Sequence, residues 1–342
     1  MKGLIRKATV KDLAAQKEII AEGKATIKEL GINMWTGDYP GEEVLLEDIG
    51  KGNAYVYCQD GKVVAIFTLD FIVDPVYEKI ENGAWLCDQP YSILRRLAVS
   101  GTMRGQNITG KIIQAIGIYS MAMGYPSLRL DTHPANVSMK RALEKNGFQY
   151  TGELNTDQTW HAYEKVLLAE PTRIQPATVA DIPNMMRIIN YAKANLKAMG
   201  LDQWQRGYPD EAVLEADIAK KDSYLYFEEG QLVAVFALIY GDDPFYHVIE
   251  NGEWLTNLPY SAIHRVAVAE EVLGTGVMGR IFQHSELLTS MNGYSSIRVD
   301  THPGNQPMQR AITKSGFTYC GTVYVAEGGV RLAYEKPFEA DC

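Results

Sequence analysis

The spacing of apolar residues predicts both helices and strands in this chain. Apolar side chains recur every three to four positions in residues 12–31 and 107–124, the period of a helix that buries one face. Four other segments alternate or run continuously apolar, as strands do: residues 54–59, 62–71, 92–99 and 127–132. Asp60 and Gly61 separate the first two of these strands and favour a hairpin turn.

The remaining pattern completes a mixed α/β unit. A short strand is predicted at Ile5–Ala8, followed by a helix start at Thr9 with Asp12 three residues later, as in a capping box. A third helix is predicted over residues 136–147. Residues 148–154 and 160–167 form a final predicted hairpin.

This whole pattern occurs twice. The segment LRLDTHPANVSMKRALEKNGFQY returns 169 positions later as IRVDTHPGNQPMQRAITKSGFTY, identical at 13 of 23 positions. Near the end the offset becomes 171, because Tyr163 aligns with Tyr334. Two extra residues are therefore expected in a hairpin at 326–329, since surface loops tolerate insertions. The repeat predicts two domains, residues 1–169 and 170–342, joined near Pro171.

Composition narrows the class of protein. The chain has 342 residues, 46% of them hydrophobic, 22% charged, and a net charge of −9. No apolar run is long enough to span a bilayer, and the first residues are too polar for a secretory signal. The chain has no block of Lys and Arg, which argues against nucleic acid as a partner. Four scattered cysteines without a CxxC pair predict a reduced, cytoplasmic protein and no metal site.

The loop after the strand at 92–99 is the first candidate site. Its sequence SGTMRGQNITGKII opens a helix, and a small glycine-bearing turn there presents backbone N–H groups to a phosphate or pyrophosphate. An ordinary glycine-containing turn is the alternative. The stretch GQNITGK also begins like a nucleotide-binding P-loop, but Ile112 stands where that motif needs Ser or Thr, and Arg280 replaces the lysine in the second copy. The sequence therefore disfavours an NTPase.

The order of strand, RGQNIT loop, helix, strand and a helix that starts with Asn and ends in NGF or SGF resembles the GNAT superfamily of acetyl-CoA-dependent N-acyltransferases. The resemblance covers nearly the whole chain as two tandem copies. It implies that each half is a mixed, mostly antiparallel sheet flanked by helices. The family's loop has the form (Arg/Gln)-x-x-Gly-x-(Gly/Ala). Arg104 and Gly276 match it, whereas Asn107, Thr109, Leu273 and Met278 depart from it.

The resemblance implies acetyl-CoA as the acyl donor. It also implies that Asn136 and Asn305 hydrogen-bond the pantetheine arm, although each could act only as the N-cap of its helix. The expected cofactor-binding residues are Leu97, Val99, Arg104, Gly105, Gln106, Asn107, Thr109, Gly110, Lys111 and Asn136 in the first copy, and Val266, Val268, Gly274, Thr275, Gly276, Gly279, Arg280 and Asn305 in the second.

The catalytic group is not fixed by the resemblance. The family often supplies a proton from a Tyr four residues before the Gly of its closing motif, but Leu143 and Ile312 stand there. The remaining candidates are His133, His302, Asp131, Asp300 and, in the second copy only, His264; Tyr150 and Tyr319 are weaker candidates. Histidine suits proton transfer near neutral pH, but the histidines of the repeated phrase could instead brace their turn.

Paired aromatics precede the first predicted strand pair in each copy. Trp35, Tyr39, Trp204 and Tyr208 lie where the family forms the wall of its acceptor site, and they could equally belong to the core.

We therefore expect an N-acetyltransferase that moves an acetyl group to a primary amine of a small molecule or peptide by direct attack, because no cysteine lies in the repeated cleft phrase. The alternative is a CoA-binding sensor or scaffold with one or both halves inactive, or with one half purely structural. The chain is expected to be a monomer with pseudo-dimeric halves or a homodimer.

Overall fold

A computed structural model of the chain describes residues 3–325 and 329–338. The described residues divide into two compact units, one ending at Glu170 and the other beginning at Pro171. We call these units the first half and the second half.

The first half contains twelve principal elements among its described residues. They are β1 (Leu4–Lys7), α1 (Leu13–Glu29), α2 (Glu42–Lys51), β2 (Ala54–Gln59), β3 (Lys62–Asp70), β4 (Ile80–Glu81), β5 (Tyr91–Val99), α3 (Ile108–Ala122), β6 (Ser127–Thr132), α4 (Val137–Lys145), β7 (Gln149–Asn155) and β8 (Thr159–Val166).

The second half repeats this order. Its elements are β9 (Arg173–Pro176), α5 (Ile182–Ala198), α6 (Glu211–Ala219), β10 (Ser223–Glu228), β11 (Gln231–Tyr240), β12 (Tyr260–Val268), α7 (Val277–Met291), β13 (Ser296–Thr301), α8 (Gln306–Lys314), β14 (Thr318–Val325) and β15 (Gly329–Pro337). The short strand β4 has no named counterpart here; an isolated bridge between Glu250 and Thr322 takes its place.

Each half builds one mixed sheet with helices against it. The strand order is β1-β2-β3-β5-β6-β8-β7-β4 in the first half and β9-β10-β11-β12-β13-β15-β14 in the second, which is the same topology. Only β5 with β6 and β12 with β13 run parallel among the described strand pairs; the others are antiparallel. The predicted fold class is therefore confirmed.

The aligned residues Tyr163 and Tyr334 occupy the same place in the two sheets. Tyr163 pairs with Leu130 on β6, and Tyr334 pairs with Val299 on β13. The predicted change of offset is thus confirmed on the strands. The predicted hairpin turn itself falls largely on residues 326–328, which lie outside the described residues.

Local sequence explains where the helices begin. Thr9 and Asp12 form a capping box before α1, and Thr178 and Asp181 form the same box before α5. The pattern predicted α1 over 12–31, whereas the first residues form a 3-10 turn and the helix proper begins at Leu13.

The two parallel strands in each half diverge about halfway along their length. β5 pairs with β6 only as far as Ile93, opposite Arg129, and then continues to Val99 without it. β12 pairs with β13 only as far as Ile263, opposite Val299, and continues to Val268. The unpaired stretches leave a wedge-shaped gap in the sheet, and the strand residues along it have backbone groups free to meet a ligand.

Candidate active site

A cleft opens at the gap in each sheet. The first-half cleft has a volume of about 700 Å³, and the second-half cleft is larger, about 1650 Å³. Both are bounded by the diverging parallel strands, the loop before α3 or α7, and the segment between the first two helices of the half. This position matches the region where the sequence predicts acyl-donor binding.

The predicted residues divide into those that line a cleft and those that do not. The residues that line the first-half cleft are Trp35, Tyr39, Leu97, Val99, Arg104, Thr109, Asp131 and Asn136. Those that line the second-half cleft are Trp204, Tyr208, His264, Val266, Val268, Gly274, Gly276, Asp300, His302 and Asn305. The predicted residues outside both linings are Gly105, Gln106, Asn107, Gly110, Lys111, His133, Thr275, Gly279 and Arg280.

The loop before α3 is shaped by left-handed backbone at two positions. Gly105 has φ of 79° and Asn107, the N-cap, has φ of 55°. A methyl group on Gly110 would lie 2.6 Å from Oδ1 of Asn107, so a glycine is needed for the asparagine side chain to fold over the helix start. The Arg104 guanidinium donates to the Thr26 hydroxyl at 3.0 Å, which holds this cation at the edge of the cleft.

The loop before α7 is more glycine-rich and less basic. Gly274 and Gly276 have φ of 75° and 84°, and both line the cleft. Leu273 stands in place of Arg104. Arg280 is paired with Glu228 and also donates to the Thr275 carbonyl, so its charge is already matched. In both halves the first amides of the helix have no acceptor within the helix and can bind an anion.

Asn136 and Asn305 cap their helices. The Oδ1 of Asn136 accepts the Met139 N–H at 3.2 Å, and the Oδ1 of Asn305 accepts the Met308 N–H at 3.2 Å. Both side chains also line their clefts. The capping role predicted from the sequence is therefore present. The amide Nδ2 of Asn136 donates to the Thr132 hydroxyl at 3.3 Å, and that of Asn305 donates to Oε1 of Gln203 at 3.5 Å.

The paired aromatics wall the clefts and also join the core. Trp35 and Trp204 are partly buried against the hydrophobic clusters of their halves. The hydroxyls of Tyr39 and Tyr208 accept from Arg96 at 3.2 Å and from Arg265 at 3.0 Å. Both arginines sit in a bulge with positive φ, which turns them out of the strand ladder toward these tyrosines.

The histidines of the repeated phrase brace their own turn. Nδ1 of His133 accepts the Ala135 N–H at 3.1 Å, and Nδ1 of His302 accepts the Gly304 N–H at 2.9 Å. A neutral imidazole in this state carries its proton on Nε2, so neither ring has a free lone pair to take another proton. Nε2 of His302 also lies 3.1 Å from the exposed carboxylate of Asp202.

The aspartates of the phrase lie deeper, each bonded to a buried tyrosine. Tyr77 donates to Asp131 at 2.6 Å, and Tyr246 donates to Asp300 at 2.8 Å. Burial raises the pKa of Asp131, and the Tyr77 hydroxyl and the Arg95 charge offset this only in part. Burial, together with the neighbouring aspartate charge, raises the pKa of Tyr77 and of Tyr246 well above the ordinary value.

His264 lies at the centre of the second-half cleft. Its Nε2 is 2.7 Å from Oδ2 of Asp243, and its Nδ1 is 3.9 Å from Oδ1 of Asp300. The Nε2–Oδ2 contact is close, but it lacks the alignment of a hydrogen bond. Burial opposes ionisation of Asp243, but His264, the Phe245 N–H and the Arg265 charge together outweigh it and lower the pKa of that carboxyl.

The first-half cleft has an arginine in the same place. Nε of Arg95 is 3.2 Å from Oδ2 of Asp70, and a terminal nitrogen of the same guanidinium pairs with Asp74. The guanidinium also lies over the Tyr77 ring, 5.6 Å from its centre. The equivalent of Asp70 in the second half is Ile239, so the two clefts differ in charge as well as in the central side chain.

Sequence reasoning missed Asp74, Tyr77, Asp243 and Tyr246. They belong to the segments DPVY and DPFY, which stand 169 positions apart in the two copies. The signal available was that an aspartate directly before a proline and a tyrosine two residues after it recur in both copies, outside any predicted strand.

A buried ion pair fixes the loop that carries these residues. Arg129 pairs with Glu164 at 2.9 Å, and its guanidinium is stacked between the rings of Trp85 and Tyr91. Glu164 also accepts the Leu86 N–H. The second half repeats the arrangement with Arg298, Glu335, Trp254 and Tyr260.

Two other pairs of residues are poorly suited to proton transfer. Leu143 and Ile312 are fully buried and carry no proton to give. Tyr150 and Tyr319 are about half exposed, at 47% and 48%, and line neither cleft. Within the described residues no cluster of three or more His, Cys, Asp or Glu could hold a metal ion, and no helix has the length and apolarity to cross a membrane.

No family model matches the chain, and no curated protein matches it. Among solved structures, an acetyltransferase of the GNAT family from Streptococcus agalactiae is 34% identical; the match covers 49% of this chain and 96% of that one, with a TM-score of 0.46. The chain belongs to the GNAT family. The matched length is that of one half, and the internal repeat extends the GNAT pattern to the other.

Two more distant structures are similar to this GNAT protein. An acetyltransferase of the GNAT family from Listeria monocytogenes is 19% identical, covering 49% of this chain and 95% of its own, with a TM-score of 0.38. The PaiA N-acetyltransferase from Thermoplasma acidophilum, solved in complex with coenzyme A, is 21% identical, covering 48% and 99%, with a TM-score of 0.39.

Proposed function

We propose that this GNAT protein transfers an acetyl group from acetyl-CoA to a primary amine of a small molecule or peptide, and that residues 1–169 and 170–342 are its two GNAT-like domains. The observation that carries the proposal is the gap between β12 and β13, which opens beside a glycine-rich helix start and contains a histidine. The pyrophosphate of acetyl-CoA suits an anion-binding helix start, its extended arm suits an unpaired strand edge, and an attacking amine needs a proton acceptor.

The residues present fit acetyl-CoA. The amides at the starts of α3 and α7 suit a pyrophosphate, and left-handed glycines let the backbone approach it closely. The unpaired backbone after Ile93 and after Ile263 offers hydrogen bonds to an extended arm and a donor for the thioester carbonyl.

His264 is the proposed general base. Asp243 stabilises the proton on Nε2, which leaves the Nδ1 lone pair to accept a proton from the amine. Asp300 lies on the Nδ1 side and favours a cationic amine there before it is deprotonated. Asp243 is a positioning residue, because it acts on the substrate through the imidazole.

The reaction is a direct displacement. The amine nitrogen attacks the thioester carbon, the C–N bond forms, and the C–S bond breaks. An alkylammonium has two protons to lose: one is released to solvent through His264, and the other ends on the departing sulfur as the CoA thiol. No cysteine lines either cleft among the described residues, so no acyl-cysteine intermediate is invoked.

The test is a screen of primary amines with acetyl-CoA and the full-length chain, following release of the CoA thiol and the mass of the product. We expect acetylated product from at least one amine, and none when acetyl-CoA is replaced by CoA. Absence of turnover with small amines, amino acids and peptides, despite CoA binding, would support the alternative of a CoA-binding sensor. That alternative is favoured by one observation, the replacement of the cleft histidine by Arg95 in the first half.

A further inference from the structure

The two halves offer a comparison within one molecule, because the same frame surrounds different groups. The positions Asp74, Tyr77 and Asp131 correspond to Asp243, Tyr246 and Asp300, and the tyrosine–aspartate hydrogen bond is present in both halves. Within this frame the cleft centre changes from arginine to histidine.

Arg95 cannot act as a base. A guanidinium stays protonated in proteins, so it has no lone pair for the proton of an attacking amine. It is also held in place by ion pairs with Asp70 and Asp74. An amine that entered the first-half cleft would meet a fixed cation where the second half offers His264.

The change is accompanied by a second substitution on the neighbouring strand. Asp70 faces Arg95 in the first half, whereas Ile239 occupies that position in the second. Because the pair Arg95 and Asp70 stands where the second half has His264 and Ile239, the two halves differ at both positions. Arg95 therefore belongs to an ion-pair arrangement of its own, and is not the histidine site with a single residue changed.

Asp131 remains as the other first-half group that could act as a base. It already accepts the Tyr77 hydroxyl at 2.6 Å, and the guanidinium of Arg95, which lies over the Tyr77 ring, pairs with Asp70 and Asp74. In the second half Arg331 lies 3.8 Å from Asp300, so the corresponding carboxylate has its cation on β15 rather than at the cleft centre.

The first half nevertheless keeps the features that suit the acyl donor. Its β5 and β6 diverge as β12 and β13 do, and Arg104 supplies a cation at the cleft edge where the second half has Leu273. The loop before α7 carries Glu270 and Glu271 close to its start, which disfavours an anion there.

Resting on the proposed function, we propose that acetyl transfer takes place only in the second half, with His264 as its base, and that Arg95 makes the first half a site that binds CoA or acetyl-CoA without transfer. The first half then takes a CoA-type thioester or thiol as a ligand rather than a substrate. Because of Arg104, it binds that ligand more tightly than the second half does.

The experiment compares full-length variants with an amine that the wild type acetylates. His264→Gln is expected to lower turnover by about 100- to 10,000-fold, the range for removing a general base. Lys62→Gln, at an exposed position on β3 that lines neither cleft, is the control, and its turnover is expected to stay within about twofold of wild type. Calorimetry with CoA is expected to show two binding events in each protein, the tighter one weakened by Arg104→Leu.

The outcomes separate the inference from the proposed function. Wild-type turnover tests the proposed function alone. If both halves transfer equally, His264→Gln loses no more than about half of the activity, and the inference fails while the function stands. Binding of only one CoA by the wild type also overturns it. His264→Asn is measured in parallel, so that a folded substitution is available if the glutamine does not fit.

Discussion

At the scale of single residues, the chemistry of the clefts depends on hydrogen bonds that the order of residues in the sequence does not predict. The repeated DTHPxN phrase identifies His133 and His302 as candidates, but in the structure their Nδ1 atoms are already occupied by backbone N–H groups. His264 has the same residue type and a different role, because its neighbours are Asp243 and Asp300. Partners, rather than residue identity, separate a bracing histidine from a candidate base.

The first prediction concerns the bracing histidines. Replacing His133 and His302 by Gln removes an acceptor from a partly exposed turn, and we expect each change to lower the free energy of unfolding by about 1 kcal/mol. Turnover per folded molecule should stay near the wild-type value, because neither ring has a free lone pair. Denaturant unfolding and steady-state rates corrected for folded fraction check this. A fall of about 100-fold or more in the rate would show that one of them transfers a proton.

The second prediction concerns the buried carboxyl of Asp131. Its folded-state pKa is raised above the ordinary 3.8, mainly by burial, so ionising it costs more in the folded chain than in the unfolded one. Wild type therefore loses stability as pH rises through the folded-state pKa and is free of this cost below pH of about 3.8. Asp131→Asn removes the titration and keeps an acceptor for Tyr77.

We expect the stability of Asp131→Asn relative to wild type to be greater at pH 7 than at acidic pH. Unfolding measured across that pH range for both proteins gives the difference directly. Asp60→Asn, in the exposed turn between β2 and β3, is the control and should leave the pH profile of stability unchanged. A difference that grows as pH falls would contradict the assigned sign.

At the scale of elements, the sequence predicted most of what depends on local periodicity. β6 was predicted at residues 127–132, where it lies, and Asn136 was predicted as a helix N-cap, as it is. The bounds of α2 and α6 were not predicted, because their amphipathic pattern is short and follows a loop rich in aromatics. Contacts such as Tyr77 with Asp131 join residues 54 positions apart, which no local period encodes.

The third prediction concerns the loop that carries Asp74 and Asp243. A methyl group on Gly83 would lie 1.9 Å from the carbonyl oxygen of Thr151, and one on Gly252 would lie 2.0 Å from that of Cys320. Ala at either position must push the loop away from its strand, and we expect a loss of about 1–3 kcal/mol in the free energy of unfolding.

Gly50 in α2 is the matched control, because a methyl group there meets nothing within 4 Å. Gly50→Ala should stabilise the protein by roughly 0.5–1 kcal/mol, since alanine loses less backbone entropy in a helix. Chemical denaturation of the three variants checks both signs. Equal stability of Gly83→Ala and wild type would mean that the loop does not pack against β7 as described.

At the scale of the whole molecule, the duplicated chain carries two clefts of the same construction and different chemistry. The helix starts that face them depend on left-handed backbone, with φ of 79° at Gly105 and 84° at Gly276. A β-branched residue adopts such backbone only with strain of about 1–3 kcal/mol. Ligand binding at each half can therefore be removed separately through its loop, without touching a side chain of the cleft.

The last prediction uses this separation. We expect two equivalents of CoA per chain for wild type in titration calorimetry, and one each for Gly105→Val and Gly276→Val, because the shifted amides no longer point at the pyrophosphate. Gly31→Val and Gly200→Val are matched controls in the first and second halves. Their φ values are 67° and 74°, and a side chain at either meets nothing within 4 Å, so they carry similar strain away from the loops. Both controls should keep two equivalents.

A ligand at 100 times its dissociation constant stabilises the folded state by about 2.7 kcal/mol, so the loss at one loop should also appear as a smaller rise in Tm on adding CoA. Two equivalents in Gly276→Val would show that the loop before α7 is not where the second half holds its anion.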